Sequence, residues 1–521
     1  ELLPDDLDRI TDNVMRACER MPCLAEVGVK RVINGPMIWT PDASALVGPV
    51  PELKNYFCCT GVIPGYSQSG GLGMTVAEWI VEGEPRLDVF SWDLARFGSW
   101  AGKEFTMAKA LDNYSSRFRI HFPNEEREAG RPVRTRPLYE RQKSMGAVFG
   151  LAYGWEHPLF YATEGIEQED HFTFERARWF ETVGEECKAL RQSVGVIDIS
   201  NFGKYEISGP GAEDWLNRIL ANRMPKEIGR SSLTPMLNER GGVIGDFTVT
   251  RLGDDRYFMI GSGVAERYHL RIFNRFLPSK GVSLKVLSED LIGFNIAGPK
   301  AREVLSRLTG EDVSNEAFRF MRAKEMTVGG IDSIVIRVSF TGDLGYEIWA
   351  EENQQEALFD AIMKEGADFS IRMVGSRALG SLRIEKGYGS WGREYSPEWW
   401  ASESGLARLV KLDKEEFMGR EAALRLSNQK PRDQLCSFIV ETKKADPVGG
   451  EPIFTKDGKP VGRITSASYG FTIGATVALG YVRYDEAKPD AVFSVEVLGE
   501  PCDARLLAEP PFDPNGERLR A

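Results

Sequence analysis

The feature that most constrains the fold of this chain is an internal duplication. Residues 205–212 and 294–301 share the order of a strand, a Gly-Pro turn and the start of an amphipathic helix, 89 positions apart. A Gly-Gly pair then introduces a β-rich run in each copy, at residues 241–247 and 329–331. One such α+β unit alone would leave a face of its sheet exposed to water. The duplication therefore predicts that two units pack together and leave a cleft between near-equivalent halves.

Length and charge narrow the class of protein. A chain of 521 residues is long enough for about three or four domains. Its net charge of −12 argues against a nucleic-acid or anionic-membrane partner, because a phosphate surface requires a basic protein face. The sequence shows no membrane helix and no signal peptide, its four histidines lack ligand spacing, and its seven cysteines indicate reduced thiols. We expect a metal-free protein of the cytoplasm, or of the mitochondrial matrix if the source is eukaryotic.

The pattern of elements divides the chain into four parts. Residues 1–90 contain helices and strands, and residues 91–150 are polar and aromatic, as in an irregular connecting domain. Residues 151–425 carry the duplicated unit with its flanking helices. In residues 430–513 short strands alternate with turns such as Asp-Gly, which predicts a small β-barrel.

A glycine-rich segment in the first part is a candidate binding element. Residues 61–73 follow a strand and precede an apolar helix predicted over residues 74–81. Backbone N–H groups at the start of such a helix can face an anion or a carbonyl edge. Glycine-rich segments of this kind are more often plain tight turns, so the pattern alone does not establish a site.

The positions at which the two copies differ are candidates for chemistry. An offset of 88 residues aligns Asp246 of the first copy with Ile334 of the second, and Glu347 of the second with Met259 of the first. Each carboxylate is either an exposed strand residue or a cleft residue with a raised pKa, able to accept a proton or to bind amide-like N–H groups. Two such exchanges beside glycines favour the cleft.

A third cluster lies between residues 377 and 395. Arg377 and Arg383 are six residues apart and need not share a helix face, so the spacing favours a solvated helix surface with weak ion pairing to Glu385. Tyr388, Trp391 and Tyr395 follow the helix and either wall a pocket for a planar ring or belong to the core.

Together these segments resemble the folate-binding T-protein (aminomethyltransferase) family of the glycine cleavage system. The resemblance rests on Gly-Gly-Val-Ile-Gly-Asp ending at Asp246, Thr-Gly-Asp-Leu-Gly-Tyr-Glu-Ile around Glu347, Ser-Leu-Arg-Ile-Glu-Lys-Gly-Tyr ending at Tyr388, and Gly-Arg-Ile-Thr-Ser-Ala-Ser-Tyr-Gly near the end. Thr-Pro-Asp, Leu-Val-Gly-Pro, the glycine-rich segment and Gly-Trp-Glu-His-Pro further resemble the dimethylglycine/sarcosine dehydrogenase family, in which a flavin amine-oxidase domain precedes the T-protein-like part. The implied fold is multidomain α+β, with part of a flavin amine-oxidase domain, a connecting domain, a duplicated folate domain and a barrel.

This resemblance implies a reaction at two sites. FAD would accept hydride from an N-methyl group of a small N-methylated amino acid, and the one-carbon unit would pass to tetrahydrofolate, giving 5,10-methylenetetrahydrofolate. By family analogy Asp246 would act on the proton that a folate nitrogen loses, and Glu347 would bind the N–H edge of the pterin. Phe340 and Tyr388 would pack on the flat ring system, although the family commonly has tyrosine where this chain has Phe340.

Further roles follow from the same resemblance. Arg383 would bind the carboxylate end of folate, and Trp391 would supply the aromatic side chain of the T-protein pattern. Gly65, Gly71 and Gly73 would approach the flavin ring. The Gly-x-Gly-x-x-Gly motif expected for FAD pyrophosphate is absent, so an N-terminal FAD-binding segment or a separate subunit would supply it. Oxygen or an electron-transfer protein would reoxidise the flavin. Two alternatives stay open, a folate-dependent aminomethyl or methyl transferase without flavin chemistry and a noncatalytic folate-binding subunit.

Overall fold

In the computed structural model, which describes residues 2–521, several helices and two small sheets precede two larger sheets and a closed barrel. The first part contains the helices α1 (Thr11–Arg20), α2 (Gly65–Glu82), α3 (Lys103–Ser116), α4 (Tyr139–Ser144) and α5 (Phe180–Gln192). Its strands β1 (Leu46–Pro49) and β2 (Phe57–Thr60) pair with each other, as do β3 (Ala147–Ala152) and β4 (Trp155–Tyr161).

The two copies of the duplication have the same order of elements. The first copy and its leading strand are β5 (Gly195–Asp198), β6 (Gly203–Ser208), α6 (Ala212–Ile219), β7 (Ser231–Leu237), β8 (Val243–Gly253), β9 (Arg256–Gly261) and α7 (Glu266–Phe276). The second copy and its leading strand are β10 (Ser283–Val286), β11 (Leu291–Ala297), α8 (Ala301–Leu308), β12 (Ala323–Val328), β13 (Ile331–Ile336), β14 (Gly345–Glu351) and α9 (Gln355–Gly366). The predicted duplication of an α+β unit is confirmed.

The leading strands are exchanged between the copies. The five-stranded sheet has the order β10-β6-β9-β8-β7, so the strand that precedes the second copy pairs with the first. A short strand, β15 (Arg372–Met373), and the helices α10 (Ser376–Glu385) and α11 (Arg420–Ser427) follow the second copy. The six-stranded sheet has the order β12-β13-β14-β11-β5-β15, so the strand that precedes the first copy pairs with the second. Because each sheet contains a strand from the other unit, neither unit completes its sheet alone.

Each sheet has one face against helices and the other against the second sheet. Helices α6 and α7 cover the outer face of the five-stranded sheet, where Trp215 and Phe273 are buried against Tyr257. A buried cluster between the two inner faces joins Phe258 and Ile260 of one sheet to Trp349 of the other. The predicted packing of one unit on the other is therefore observed, and the inner faces bound the space in which a cleft can form.

The last part is a six-stranded barrel, as predicted. Its strands are β16 (Asp433–Val440), β17 (Pro452–Phe454), β18 (Pro460–Gly470), β19 (Ala475–Arg483), β20 (Val492–Val497) and β21 (Glu500–Leu507), followed by helix α12 (Glu517–Arg520). Alternate residues of β16 point inward, with Phe438 and Val440 in the barrel core. Across residues 2–521 no helix combines the length and apolar character that crossing a membrane requires.

Candidate functional site

Two carboxylates predicted from the sequence face the space between the two sheets. Asp246 lies two residues before Thr248 on β8, and Thr248 is paired with Ile260. Side chains alternate along a strand, so Asp246 is on the face of Ile260, which belongs to the core between the sheets. Glu347 lies two residues before Trp349 of the same core, on the opposite sheet. The structure therefore brings Asp246 and Glu347 to the same space from different copies.

The strand pairing corrects the counterpart predicted for Glu347. Tyr205 is paired with Met259 in the first copy, and Phe294 is paired with Ile348 in the second. Met259 thus corresponds to Ile348, and the counterpart of Glu347 is Phe258 rather than Met259. The prediction that an apolar residue in one copy matches this carboxylate holds, but the offset is one residue longer than the sequence alignment gave.

The counterpart predicted for Asp246 is also wrong. Val249 is paired with Met259, and Val335 is paired with Ile348, which makes Val249 and Val335 equivalent. Three residues earlier on each strand, Asp246 matches Asp332 and not Ile334. Asp332 is exposed whereas Asp246 is half-buried. The copies therefore differ here in the surroundings of an aspartate, not in its presence.

Burial changes the protonation of both carboxylates. Removal from water raises the pKa of Asp246 from 3.8 to about 6, and no cation contributes to its pKa. Burial, followed by the charge of Asp246, also raises the pKa of Tyr395, so this tyrosine lies within the electrostatic influence of Asp246. Burial raises the pKa of Glu347 from 4.5 to about 8. At neutral pH Asp246 is mainly an acceptor, and Glu347 is mainly a protonated carboxyl that can also donate.

The protonation of Glu347 predicts how stability depends on pH. Its folded-state pKa of about 8 exceeds the ordinary value of 4.5, so the folded chain retains a proton that the unfolded chain loses between these values. Stability from this group is therefore lost as pH rises through that window. We expect Glu347→Gln to unfold at a higher temperature than the parent near pH 9, with a much smaller difference near pH 5. Thermal unfolding followed by circular dichroism would measure this, with Glu351→Gln at the exposed end of the same strand as control. An equal difference at both pH values would contradict the prediction.

The aromatic residues predicted from the sequence lie in two places. Phe340 and Tyr388 are stacked, with ring centroids 5.9 Å apart and planes inclined by 15°. The backbone of Trp391 forms an isolated β-bridge with that of Tyr395, and the Trp391 ring lies edge-on to His269, with centroids 5.6 Å apart. The predicted aromatic residues thus form two groups, one at Phe340 and one around Trp391.

Sequence reasoning did not identify His269 as part of this region. Its Nε2 contacts the carbonyl oxygen of Ile244 at 3.0 Å, two residues before Asp246, and burial lowers its pKa to about 4. The neutral ring therefore donates from Nε2 and presents an unprotonated Nδ1. This Nδ1 and the Nε1 of Trp391 are both buried without a hydrogen-bond partner in residues 2–521. Such unpaired polar atoms fit a region that receives a polar ligand. A single histidine without ligand spacing gave no signal in the sequence.

Arg383 is committed to an ion pair within the protein. Its Nη1 donates to Glu394 and to the carbonyl oxygen of Tyr388, both at 2.8 Å, and the side chain is 6% exposed. Glu394 also accepts hydrogen bonds from Thr465 and Ser466 of β18. Burial alone would raise the pKa of Glu394, but Arg383 and the two hydroxyls hold that pKa below its ordinary value. The pair therefore joins α10, the segment after it and the barrel. Sequence reasoning missed Glu394, although it directly precedes Tyr395.

A large cavity adjoins this pair. It has a volume of about 450 Å³ and lies between α10, strand β18 and residues 170–180. Phe340 and Arg383 line it, together with Ser390 and Arg393 from the segment that carries Trp391 and Tyr395. Asp246 and Glu347 are not among its lining residues. The segment of residues 388–396 thus connects the cavity with the surroundings of Asp246.

The N-terminal part contacts the same segment. Phe90 lies edge-on to Trp391, with centroids 4.7 Å apart. Asp93 is 1% exposed and accepts two hydrogen bonds from Arg271 of α7, at 2.8 and 2.6 Å. A buried bidentate pair of this kind fixes orientation as well as distance. The first part of the chain is thereby held against the wall formed by Trp391.

The three glycines predicted to approach a flavin lie within a helix. Helix α2 begins at Gly65, not at Met74, so Gly65, Gly71 and Gly73 belong to its first turns and not to a preceding turn. All three are exposed, and a Cβ atom added to any of them would meet nothing within 4 Å in residues 2–521. A cavity of about 330 Å³ opens beside Pro64 at the start of the helix. This open glycine surface fits a flat group that approaches the helix backbone closely.

Comparison with known proteins gives the family. The sequence matches the GCVT N-terminal domain over residues 138–414, which is more than half of the chain. It also matches the glycine cleavage T-protein C-terminal barrel domain over residues 434–513 and the FAD dependent oxidoreductase central domain over residues 82–135. The chain belongs to the glycine cleavage T-protein family.

Relatives of this T-protein family member include mitochondrial dehydrogenases. Mitochondrial dimethylglycine dehydrogenase of Mus musculus is 35% identical over 98% of this chain and 59% of that protein. Mitochondrial sarcosine dehydrogenase of the same species is 31% identical over 99% of this chain and 61% of that protein. The chain thus spans about three fifths of the length of these relatives. The predicted resemblance to the dimethylglycine/sarcosine dehydrogenase family is confirmed.

A solved structure supports the fold of the T-protein part. The aminomethyltransferase T of the glycine cleavage system from Bartonella henselae superposes with a TM-score of 0.64 and 25% identity, covering 73% of this chain and 98% of that structure. With the three matched domains, this confirms the predicted multidomain α+β class, with an FAD dependent oxidoreductase central domain, a T-protein domain and a barrel.

Proposed function

We propose that this chain takes part in the FAD- and tetrahydrofolate-dependent oxidative demethylation of a small N-methyl amino acid, of the dimethylglycine or sarcosine type, forming 5,10-methylenetetrahydrofolate. The observation that carries the proposal is that Asp246 and Glu347 face one space between the two copies with pKa values raised in the same way, by burial. Perturbed carboxylates grouped in a cleft are characteristic of sites that move protons or bind polar ligands. The relatives named as dimethylglycine and sarcosine dehydrogenases supply the substrate class.

Each side chain of the site has its own role in the proposed folate reaction. Asp246, ionised above its pKa of about 6, accepts the proton that a folate nitrogen releases as the methylene bridge closes. Glu347, largely protonated, binds the pterin edge, where its carboxyl both donates and accepts. Phe340 and Tyr388 pack against the ring system, and Trp391 closes the wall toward the N-terminal part.

FAD, when bound, supplies the hydride acceptor for oxidation of the N-methyl group. Gly65, Gly71 and Gly73 are the residues of this chain that would lie against its ring, because α2 offers an open backbone surface there. Residues that bind its pyrophosphate would come from an N-terminal FAD-binding segment or a partner subunit. Exposed apolar side chains on α1 to α3 fit such a partner, among them Val14, Met15, Met74, Ile80, Met107 and Leu111. Oxygen or an electron-transfer protein then accepts the electrons.

A transferase without flavin chemistry is the second candidate, favoured by the superposition on an aminomethyltransferase over 73% of the chain. The match of residues 82–135 to the FAD dependent oxidoreductase central domain favours the first candidate. The demethylase oxidises an amine and the transferase does not. A noncatalytic folate-binding subunit would convert neither an amine nor tetrahydrofolate.

The deciding experiment uses the full natural protein with its flavin. We expect dimethylglycine or sarcosine to reduce the flavin, and added tetrahydrofolate to convert the product from free formaldehyde to 5,10-methylenetetrahydrofolate. Stopped-flow absorbance and chromatographic assay of the two one-carbon products would measure this. Bound folate without any amine oxidation would favour the transferase or the noncatalytic subunit, and oxidation unaffected by folate would contradict the folate step.

A further inference from the structure

The cavity of about 450 Å³ combines flat apolar side chains with arginines. Its aromatic lining includes Phe172, Trp179, Phe180, Phe340, Tyr469 and Phe471. Four arginines also line it, Arg176, Arg377, Arg383 and Arg393. Such a lining suits a ligand with a planar ring and a negatively charged end, because ring faces stack and guanidinium groups bind carboxylates in a bidentate manner.

Three of these arginines are already neutralised by the protein. Arg176 donates two hydrogen bonds to Asp446, both at 2.8 Å. Arg377 contacts both oxygens of Asp170, at 2.9 and 2.7 Å, and Arg383 is held by Glu394 at 2.8 Å. The charge of each of these three arginines is already balanced by a carboxylate of the protein, so each attracts a ligand carboxylate less strongly than an unpaired arginine would.

Arg393 is different. It is exposed, and no Asp or Glu oxygen of residues 2–521 lies within 4.0 Å of its guanidinium. The other carboxylates that line the cavity are Glu126, which accepts from the backbone N–H of Leu151, and Glu175. Arg393 is therefore the lining arginine whose charge is free for a ligand. It also lies two residues from Trp391, on the segment that connects the cavity to the surroundings of Asp246.

We propose that Arg393, and not Arg383, binds the glutamate carboxylates of folate, with the aminobenzoyl ring held between the aromatic side chains of the cavity. The inference rests on the proposed function, since it assigns the tail of the same folate. Arg383 then acts as a positioning residue that holds the 388–396 segment through Glu394. Because Arg393 is exposed at the cavity, each further γ-linked glutamate adds a carboxylate near a free guanidinium, so longer tails bind more tightly.

Calorimetric titration of the full natural protein tests the assignment. The probes are 5-formyltetrahydrofolate, its pentaglutamate and 6-methyltetrahydropterin, which lacks the aminobenzoyl-glutamate tail. We expect Arg393→Gln to weaken the binding of 5-formyltetrahydrofolate about 10-fold, as for loss of a hydrogen bond between charged groups, and that of the pentaglutamate more. Binding of 6-methyltetrahydropterin stays unchanged, and Arg393→Lys restores part of the lost affinity. The control Arg218→Gln removes an exposed charge from α6, away from the cavity lining.

Two results would overturn the inference, and they are distinguishable. Equal affinity of Arg393→Gln and the parent for 5-formyltetrahydrofolate would refute the role of Arg393 while leaving folate binding intact. Failure of the parent to bind any of the three probes would refute the proposed function itself. An equal loss for 6-methyltetrahydropterin would show that the variant disturbs the pterin end, which also contradicts the assignment.

Discussion

Replacing Asp246 by asparagine is expected to reduce the rate of 5,10-methylenetetrahydrofolate formation by about 100-fold or more, the usual contribution of a positioned general base. Amine oxidation by the complete enzyme is expected to stay largely intact, because Asp246 lies between the sheets of the duplicated part and not beside α2. The one-carbon unit then leaves as formaldehyde. Quantifying formaldehyde and 5,10-methylenetetrahydrofolate in the same reaction separates the two effects.

The pH dependence gives this prediction a second readout. Asp246 must be ionised to accept a proton, so folate-dependent transfer by the parent rises as pH increases through about 6 and levels off above it. The Asp246→Asn variant is expected to lose this rise. Asp332→Asn is the matched control, because Asp332 occupies the equivalent strand position in the second copy but is exposed. Equal yields of 5,10-methylenetetrahydrofolate from Asp246→Asn and the parent would exclude Asp246 as the proton acceptor.

Periodic patterns in the sequence predicted much of the fold, because the spacing of apolar residues reflects which side chains of a helix or strand are buried. The duplicated unit repeats a strand, a Gly-Pro turn and a helix, and both helices, α6 and α8, have eight residues. The barrel strands alternate in burial, which two-residue periodicity and turn residues make visible. The two carboxylates between the sheets were also predicted, because charged residues in otherwise apolar strands stand out.

Strand register could not be predicted in the same way. The strand pairings give an offset of 332 − 246 = 86 at Asp246 and of 347 − 258 = 89 at Glu347, because the strands and connections of the two copies differ in length. A single offset of 88 therefore misplaced the counterparts of both carboxylates. The exchange of β5 and β10 between the sheets could not be predicted either, because each is a strand of four residues whose sequence does not identify its partner. Likewise, glycines in residues 65–73 indicated a turn, but the chain there is helical.

The ion pair of Arg383 with Glu394 also could not be predicted from the sequence. Its partner Glu394 is eleven residues away, on an irregular segment, and also binds two hydroxyls of the barrel. A sequence motif can show that an arginine recurs with a function, but it does not show whether a carboxylate of the protein or of a ligand neutralises it. The distinction has a large energetic consequence that can be measured.

We expect Arg383→Met to lower the stability of the protein by about 3–5 kcal/mol, the usual cost of leaving one member of a buried ion pair unpaired. Glu394 is fully buried and would retain its charge without a counter-charge. Chemical unfolding followed by tryptophan fluorescence would report the change, and hydrogen exchange in β18 would localise it. Replacement of Glu394 by glutamine in the same chain removes the unpaired charge, so the double variant is expected to recover part of the loss.

Folate affinity then separates a structural role from a binding role. If Arg383 positions the 388–396 segment, the double variant Arg383→Met/Glu394→Gln regains stability and folate affinity together, because Ser390 and the hydroxyls of Thr465 and Ser466 still hold residue 394. If Arg383 binds the folate carboxylate directly, the double variant regains stability but not affinity. We expect the first result, since the Arg383 guanidinium is 6% exposed and its charge is already balanced by Glu394 at 2.8 Å.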